Sequence, residues 1–202
     1  MTANAKRASL IFLVLVAGVA AIVGAFAVLK GRDVTTGIGI PAIGGPFNLV
    51  NQEGRTVTDR TYRGKFLLIY FGYSFCPDVC PTALTTLADA VRLLGKDGDK
   101  ILPMFITVDP QRDTAEHLKM YVEYFHPRME GLTGTPEQVA AIAREYRVYF
   151  AKVADKNALD DESYVMDHTS VIYLMGPDGR FVTHFSHGTD AQKMASEIRR
   201  FL

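Results

Sequence analysis

The stretch FLLIYFGYSFCPDVCPTALTTL, Phe66 to Leu87, joins an uninterrupted apolar run to a pattern of helical spacing, and both cysteines of the chain stand at the join. A continuous run such as Lys65 to Phe71 suits a strand buried on both faces. After it, Leu84, Leu87, Ala88 and Val91 recur on one helical face, with Pro81 suited to a first helical position. Cys76 and Cys80 therefore sit beyond the carboxyl end of a predicted central strand, where open α/β sheets gather their functional groups. Pro77 and Pro81 disfavour αR for the residues before them, which predicts a turn rather than regular helix through both cysteines. Cys80 is then expected at the helix entrance, where free N–H groups and the helix dipole favour a thiolate.

Outward from this junction the pattern alternates. On its N-terminal side, Phe47–Val50 and Arg55–Thr58 flank Asn51-Gln52-Glu53-Gly54 and read as a hairpin. On its C-terminal side, Ile101 to Val108 reads as a second buried strand, with Pro103 pushing its start toward an edge or bulge. Asp113-Thr114-Ala115-Glu116 resembles a capping box for a helix that ends at His126-Pro127, and Thr135-Pro136-Glu137-Gln138 repeats that logic. Tyr149 to Val153 suits a short strand. Ser170–Met175 and Arg180–Phe185 flank the turn Gly176-Pro177-Asp178-Gly179, and an amphipathic helix over Ala191–Leu202 closes the chain. A βαβ unit followed by ββα is an α/β pattern and points to a three-layer sandwich of the thioredoxin type with an N-terminal hairpin.

Before the hairpin, Ser9 to Leu29 is a run of 21 residues without a charge, long enough to cross a bilayer core, which takes about 20. Ala25-Phe26-Ala27 offers a cleavage site, but the run exceeds the length of a signal-peptide core, so a retained anchor is expected. Lys6 and Arg7 keep the N-terminus cytoplasmic by the positive-inside rule, with Lys30 and Arg32 pulling the other way. The expected plan is an anchor in residues 1–29, a Gly-rich tether in 30–45 and one soluble domain in 46–202 on the far side of an inner (cytoplasmic) membrane. From Val34 onward the chain carries 18 basic and 21 acidic side chains, a formal net charge of −3. Such a balance gives no reason to expect nucleic acid. The acidic run Asp160-Asp161-Glu162 reads as a solvated loop.

Three readings of the cysteine pair follow from the residues alone. A structural disulfide suits an oxidising compartment, although so short a loop removes little unfolded-chain entropy. A thiol–disulfide oxidoreductase suits the strand–helix junction, although the spacing is C-x-x-x-C and no proline lies between Val153 and Gly176. A soft-metal site suits two thiolates at the ends of a turn but needs a third ligand. A peroxidase of the same fold fits less well, because Ser74 stands where such enzymes carry a threonine. Among the histidines, His117 and His126 read as solvated or helix-capping, and His184 and His187 lie at or beyond the last strand. His168, just before a predicted core strand and in register with Ile172 and Leu174 if that strand extends back, is the candidate third ligand.

Three motifs in order carry a resemblance: Tyr70-Phe71-Gly72-Tyr73 with Cys76-Pro77-Asp78-Val79-Cys80-Pro81; Val108-Asp109-Pro110-Gln111-Arg112-Asp113-Thr114; and Asp167-His168-Thr169 followed by Tyr173-Leu174 and Gly176-Pro177-Asp178-Gly179. Over about Pro46 to Leu202 the chain resembles the Sco (SenC-type) proteins, membrane-anchored copper chaperones of cytochrome c oxidase assembly. The resemblance implies a thioredoxin-like fold, copper ligands at Cys76, Cys80 and His168, a metallochaperone rather than an enzyme, and delivery to the binuclear copper centre of oxidase subunit II. Copper is expected as Cu(I), with Cu(II) also accommodated by two sulfurs and one nitrogen. Oxidation to a Cys76–Cys80 disulfide removes both thiolates, so a copper donor and a thioredoxin-like reductase of the same compartment are expected partners. Asp167 and Asp78 are candidates for a supporting role around the ligands.

Overall fold

The computed structural model describes residues 43–154 and 164–202, together with Gly18. Apart from Gly18, the expected anchor in 9–29 lies outside the described residues, as do nearly all of the tether and the acidic run 160–162. Among the described residues no helix is long and apolar enough to cross a membrane.

The apolar run becomes β3 (Phe66–Gly72), buried along nearly its whole length. Its neighbours are what a doubly covered strand requires. The parallel strand β4 (Ile101–Thr107) lies on one side, paired residue for residue from Phe66↔Ile101 to Gly72↔Thr107, and the antiparallel strand β8 (Val171–Met175) lies on the other. The helix after the cysteines is α1 (Val79–Leu93), which makes the β3–α1–β4 crossover. Helix α2 (Ala115–Phe125) then leads to β5 (Glu130–Thr133), parallel to β4, and α3 (Pro136–Glu145) follows. The hairpin β1 (Asn48–Asn51) and β2 (Thr56–Thr58) adds antiparallel to β5, and β9 (Phe181–Ser186) adds to β8. The seven-stranded order is β2-β1-β5-β4-β3-β8-β9. Helix α4 (Ala191–Ile198) closes the described chain against α1. The fold is mixed α/β and thioredoxin-like.

Four local readings change. The cap of α2 is Thr114, whose hydroxyl accepts from His117 N, whereas Asp113 turns inward and is buried. Helix α1 begins at Val79, so Pro81 is its third residue and Cys80 its second; a proline is tolerated there because first-turn N–H groups have no intrahelical partner. Strand β5 has no apolar run to announce it. Its Gly131 is needed for packing, since a Cβ there meets Val122 Cγ1 at 3.0 Å. Finally β6 (Phe150–Ala154) pairs with β7 (Tyr164–His168) as a separate two-stranded ribbon. His168 ends that ribbon and is not an extension of β8, so register with Ile172 is not what places it.

The Thr135 capping box forms as expected, with Thr135 Oγ1 accepting from Gln138 N and Thr135 N donating to Gln138 Oε1. Pro103 lies one residue outside the stretch of β4 that pairs with β5, so its missing N–H removes no bond there.

Candidate metal centre

Strand alternation decides what the end of β3 offers. Leu68, Tyr70 and Gly72 share one face, and Gly72 leaves room for the Cys80 sulfur: a Cβ at that position lies 2.9 Å from Cys80 Sγ and 2.9 Å from Tyr70 Cε1. Cys80 in the first turn of α1 is fully buried, while Cys76 in the preceding turn is half-buried. Both are free thiols. The turn folds back so that Cys80 N donates to Cys76 Sγ at 3.4 Å.

The ribbon brings in the imidazole. His168 Nε2 lies 3.4 Å from Cys80 Sγ. Its other ring nitrogen, Nδ1, lies 3.1 Å from the carbonyl oxygen of Thr169. A carbonyl only accepts, so Nδ1 carries the proton and the Nε2 lone pair faces the sulfur. Tyr70 and Tyr73 present their edges to the ring, with centroids at 6.1 and 5.9 Å, and fix its plane. Tyr70 also donates to Cys80 Sγ at 3.8 Å and shares a hydrogen bond with Ser170 Oγ at 3.1 Å.

The two thiols are pushed in opposite directions. Hydrogen bonding from the Cys80 thiol holds the Cys76 thiol well below its ordinary pKa, helped by the N–H groups of Asp78 and Cys80, against the opposing effect of burial. Cys80, which donates a hydrogen bond to Cys76 and lies buried, is pushed up. The stabilisation of a thiolate expected at Cys80 thus falls on Cys76 instead. The helix entrance does stabilise a thiolate, but the N–H groups point at the sulfur preceding the helix rather than at the one inside it.

Two ligands bound at about 2.3 Å for sulfur and about 2.0 Å for nitrogen, at a tetrahedral angle, stand about 3.5 Å apart. The 3.4 Å between Cys80 Sγ and His168 Nε2 has that separation. Among the described residues no three His, Cys, Asp or Glu side chains already form a closed ligand set. Two sulfurs and one nitrogen are a soft set that favours Cu(I) or Zn(II) over hard cations. A cleft of about 500 Å³ opens on this place, lined by Tyr73, Cys76, Pro77, Val165 and His168.

The remaining candidates differ in how near they come. Asp167 is exposed on β7, next to buried Met166, and lines the same cleft as Cys76 and His168. Asp78 makes no side-chain cap bond; it reaches the site through its backbone N–H. His117 bonds to Ser74 Oγ, and His126 is buried with Nδ1 accepting from Arg128 N, so neither is simply solvated. His184 stacks on Phe181. Sequence reading missed Tyr70, Gly72 and Tyr73 as parts of the centre, although period-2 alternation places Tyr70 on the face of Gly72. It also missed what secures the ribbon. Arg112 lies 3.8 Å over the ring of Tyr164, donates to the Tyr164 carbonyl at 3.1 Å and pairs with Asp109, whose carboxylate accepts from Tyr164 Oη at 3.0 Å.

Comparison with known proteins adds to this geometry. A family model described as SCO1/SenC matches residues 36–202. The human protein named SCO1 homolog, mitochondrial, is 43% identical over 163 residues, covering 80% of this chain and 53% of that protein. An Arabidopsis thaliana protein named SCO1 homolog 1, mitochondrial, is 40% identical over 168 residues, covering 81% and 49%. The chain thus spans about half the length of these relatives. Among solved structures, Bradyrhizobium japonicum ScoI with copper bound superposes with a TM-score of 0.72 at 48% identity, covering 80% of this chain and 100% of that one. Arabidopsis thaliana ScoI with copper bound gives a TM-score of 0.74 at 39% identity, covering 79% and 97%.

Proposed function

The chain belongs to the SCO1/SenC family, and on that premise we propose that it is a copper chaperone that takes one copper ion as cargo on Cys76, Cys80 and His168. The observation that carries the reading is the 3.4 Å approach of His168 Nε2 to Cys80 Sγ, with the Cys76 sulfur on the same turn. Three soft ligands suit Cu(I), whose binding displaces the thiol proton held on Cys80. Relatives solved with copper bound support the choice of metal. The recipient in this reading is the binuclear copper centre of cytochrome c oxidase subunit II. A copper donor loads the site, and a thioredoxin-like reductase keeps both sulfurs reduced. Residues 9–29 anchor the chain by a single pass in the inner (cytoplasmic) membrane, residues 30–45 tether it, and residues 46–202 form the copper-binding domain in the periplasm or equivalent compartment.

One observation favours a second reading, reduction of the target's cysteines. A half-exposed Cys76 sulfur with its pKa drawn down, beside a buried Cys80 sulfur with its pKa pushed up, is an arrangement suited to thiol–disulfide exchange. Competition against a chromophoric Cu(I) chelator, with Cys76→Ser, Cys80→Ser and His168→Ala compared with the parent, tests the first reading. Loss of a ligand is expected to lower affinity by more than about 100-fold, since changing even a group behind a ligand costs 10–100-fold. A parent that binds no Cu(I), or a His168→Ala protein that binds as well as the parent, overturns it. Unaltered reduction of a disulfide substrate by His168→Ala supports the second reading.

A further inference from the structure

We propose that Asp113, Ser74 and His117 form a clamp that positions Cys76. Cys80 is fixed by the first turn of α1 and by the space over Gly72, but Cys76 depends on the turn Tyr73–Pro77, where its own N–H makes a single 3.3 Å bond to the Tyr73 carbonyl. The two residues before it are held from elsewhere. Asp113 has no exposed surface, and its carboxylate accepts from Ser74 N at 3.1 Å, from Ser74 Oγ and from Thr107 Oγ1 at 2.6 Å. The backbone of Asp113 is itself tied down, its carbonyl accepting from Thr133 Oγ1 at 2.7 Å and its N–H bonding to the Asp109 carbonyl at 3.0 Å.

The Ser74 hydroxyl has one proton, and it goes to Asp113. The His117 Nε2 that lies 2.8 Å from Ser74 Oγ is therefore the donor in that contact. The same imidazole stacks on Phe75 at 5.4 Å and 19°, and Arg112 covers Phe75 at 4.9 Å. Ser74 is thus held by hydrogen bonds and Phe75 by ring contacts, from groups rooted at the end of β4, at β5 and on α2. None of these groups reaches either sulfur. Among the described residues no lysine or arginine bonds to the Asp113 carboxylate, and burial raises its pKa against the pull of Ser74 and Thr107. An unpaired buried carboxyl is a costly way to fill a core; as an acceptor for both polar groups of Ser74 it has a use that an apolar residue does not.

The test uses the full chain and two readouts. The first is equilibration with a glutathione redox buffer. Cys76 thiolate attacks glutathione disulfide and releases one glutathione, after which Cys80 displaces the second and closes the intramolecular disulfide. The ratio of closed disulfide to Cys76–glutathione mixed disulfide reports how well Cys76 is aimed at Cys80. The second readout is Cu(I) affinity, the only part that rests on the copper reading. Ser74→Ala is expected to lower the disulfide ratio on the order of tenfold and Cu(I) affinity by about 10–100-fold, while Ser74→Thr, which keeps the hydroxyl, stays near the parent. Asp113→Asn follows Ser74→Ala where it folds, and the Ser74 pair decides where it does not. The clamp is overturned if Ser74→Ala shifts only the thermal midpoint and leaves both readouts at the parent value, or if Ser74→Thr loses as much as Ser74→Ala. A parent that binds no Cu(I) removes the copper reading and leaves the disulfide ratio to decide the clamp.

Discussion

The seven-stranded sheet and the β6–β7 ribbon contribute to one site from opposite mechanical situations. On the sheet side, β3 and β4 are buried almost throughout, and Cys80 rests against backbone that nothing can displace without opening the core. On the ribbon side, β6 runs from half-buried to exposed, Val153 and Val165 face solvent, and only Met166 of β7 is buried. An isolated two-stranded hairpin is marginal on its own. The ribbon holds its place through a small polar cluster, Arg112 with Asp109 and Tyr164, supplemented by Lys152 bonded to Gln111 at 2.8 Å. The sulfur half of the centre is thus built into the fold, and the imidazole half is delivered to it by a peripheral element whose docking can change without unfolding the sheet.

The largest expected break in this contrast is Gly72→Ala on the sheet side. The new Cβ must push on the Cys80 sulfur and the Tyr70 ring, both 2.9 Å away. Overpacking of this kind costs about 1–3 kcal/mol, and denaturant unfolding is expected to show that loss together with weaker copper binding. A smaller and more selective effect is expected from Tyr164→Phe, which removes the bond to Asp109 at a cost of about 1 kcal/mol. Hydrogen exchange should quicken in β6 and β7 while β3 and β4 keep their protection, and equal acceleration in both would end the distinction between a fixed half and a docked half.

The smallest effect concerns His126, which belongs to the sheet side but lies far along α2 from the site. Burial lowers its pKa, with Arg128 and Arg92 adding to the effect. A depressed pKa means that the folded protein resists a proton the unfolded chain accepts. Stability from this group is present above the unfolded value of about 6.5 and is lost as pH falls below it. Thermal midpoints of the parent should therefore drop more between pH 7 and pH 5 than those of His126→Asn, with the ribbon's exchange rates showing no matching difference.

Sequence pattern was most informative where one force dominated. The apolar run Lys65–Phe71 suited a doubly buried strand and became β3, and Thr135 with Gln138 satisfied each other's backbone locally. Legibility failed where a residue answered to distant partners. Asp113 looks like a cap because capping is a local pattern, yet it bonds to Ser74, 39 positions away. Strand β5 was invisible because Gly131 is dictated by Leu118 and Val122 of the helix above it, not by its own neighbours. His168 was reached by a register argument that does not hold, since the chain leaves the ribbon at His168 and enters the sheet at Val171. Family resemblance named it; alternation along one strand did not.

The burial of Cys80 sets an order on any chemistry with another protein. A sulfur with no exposed surface cannot be met by an incoming thiol or disulfide carried on a folded chain. First contact, whether by a metal in transit or by a visiting cysteine, falls on residue 76, and residue 80 acts second, from behind, as the group that completes the hold or expels the visitor.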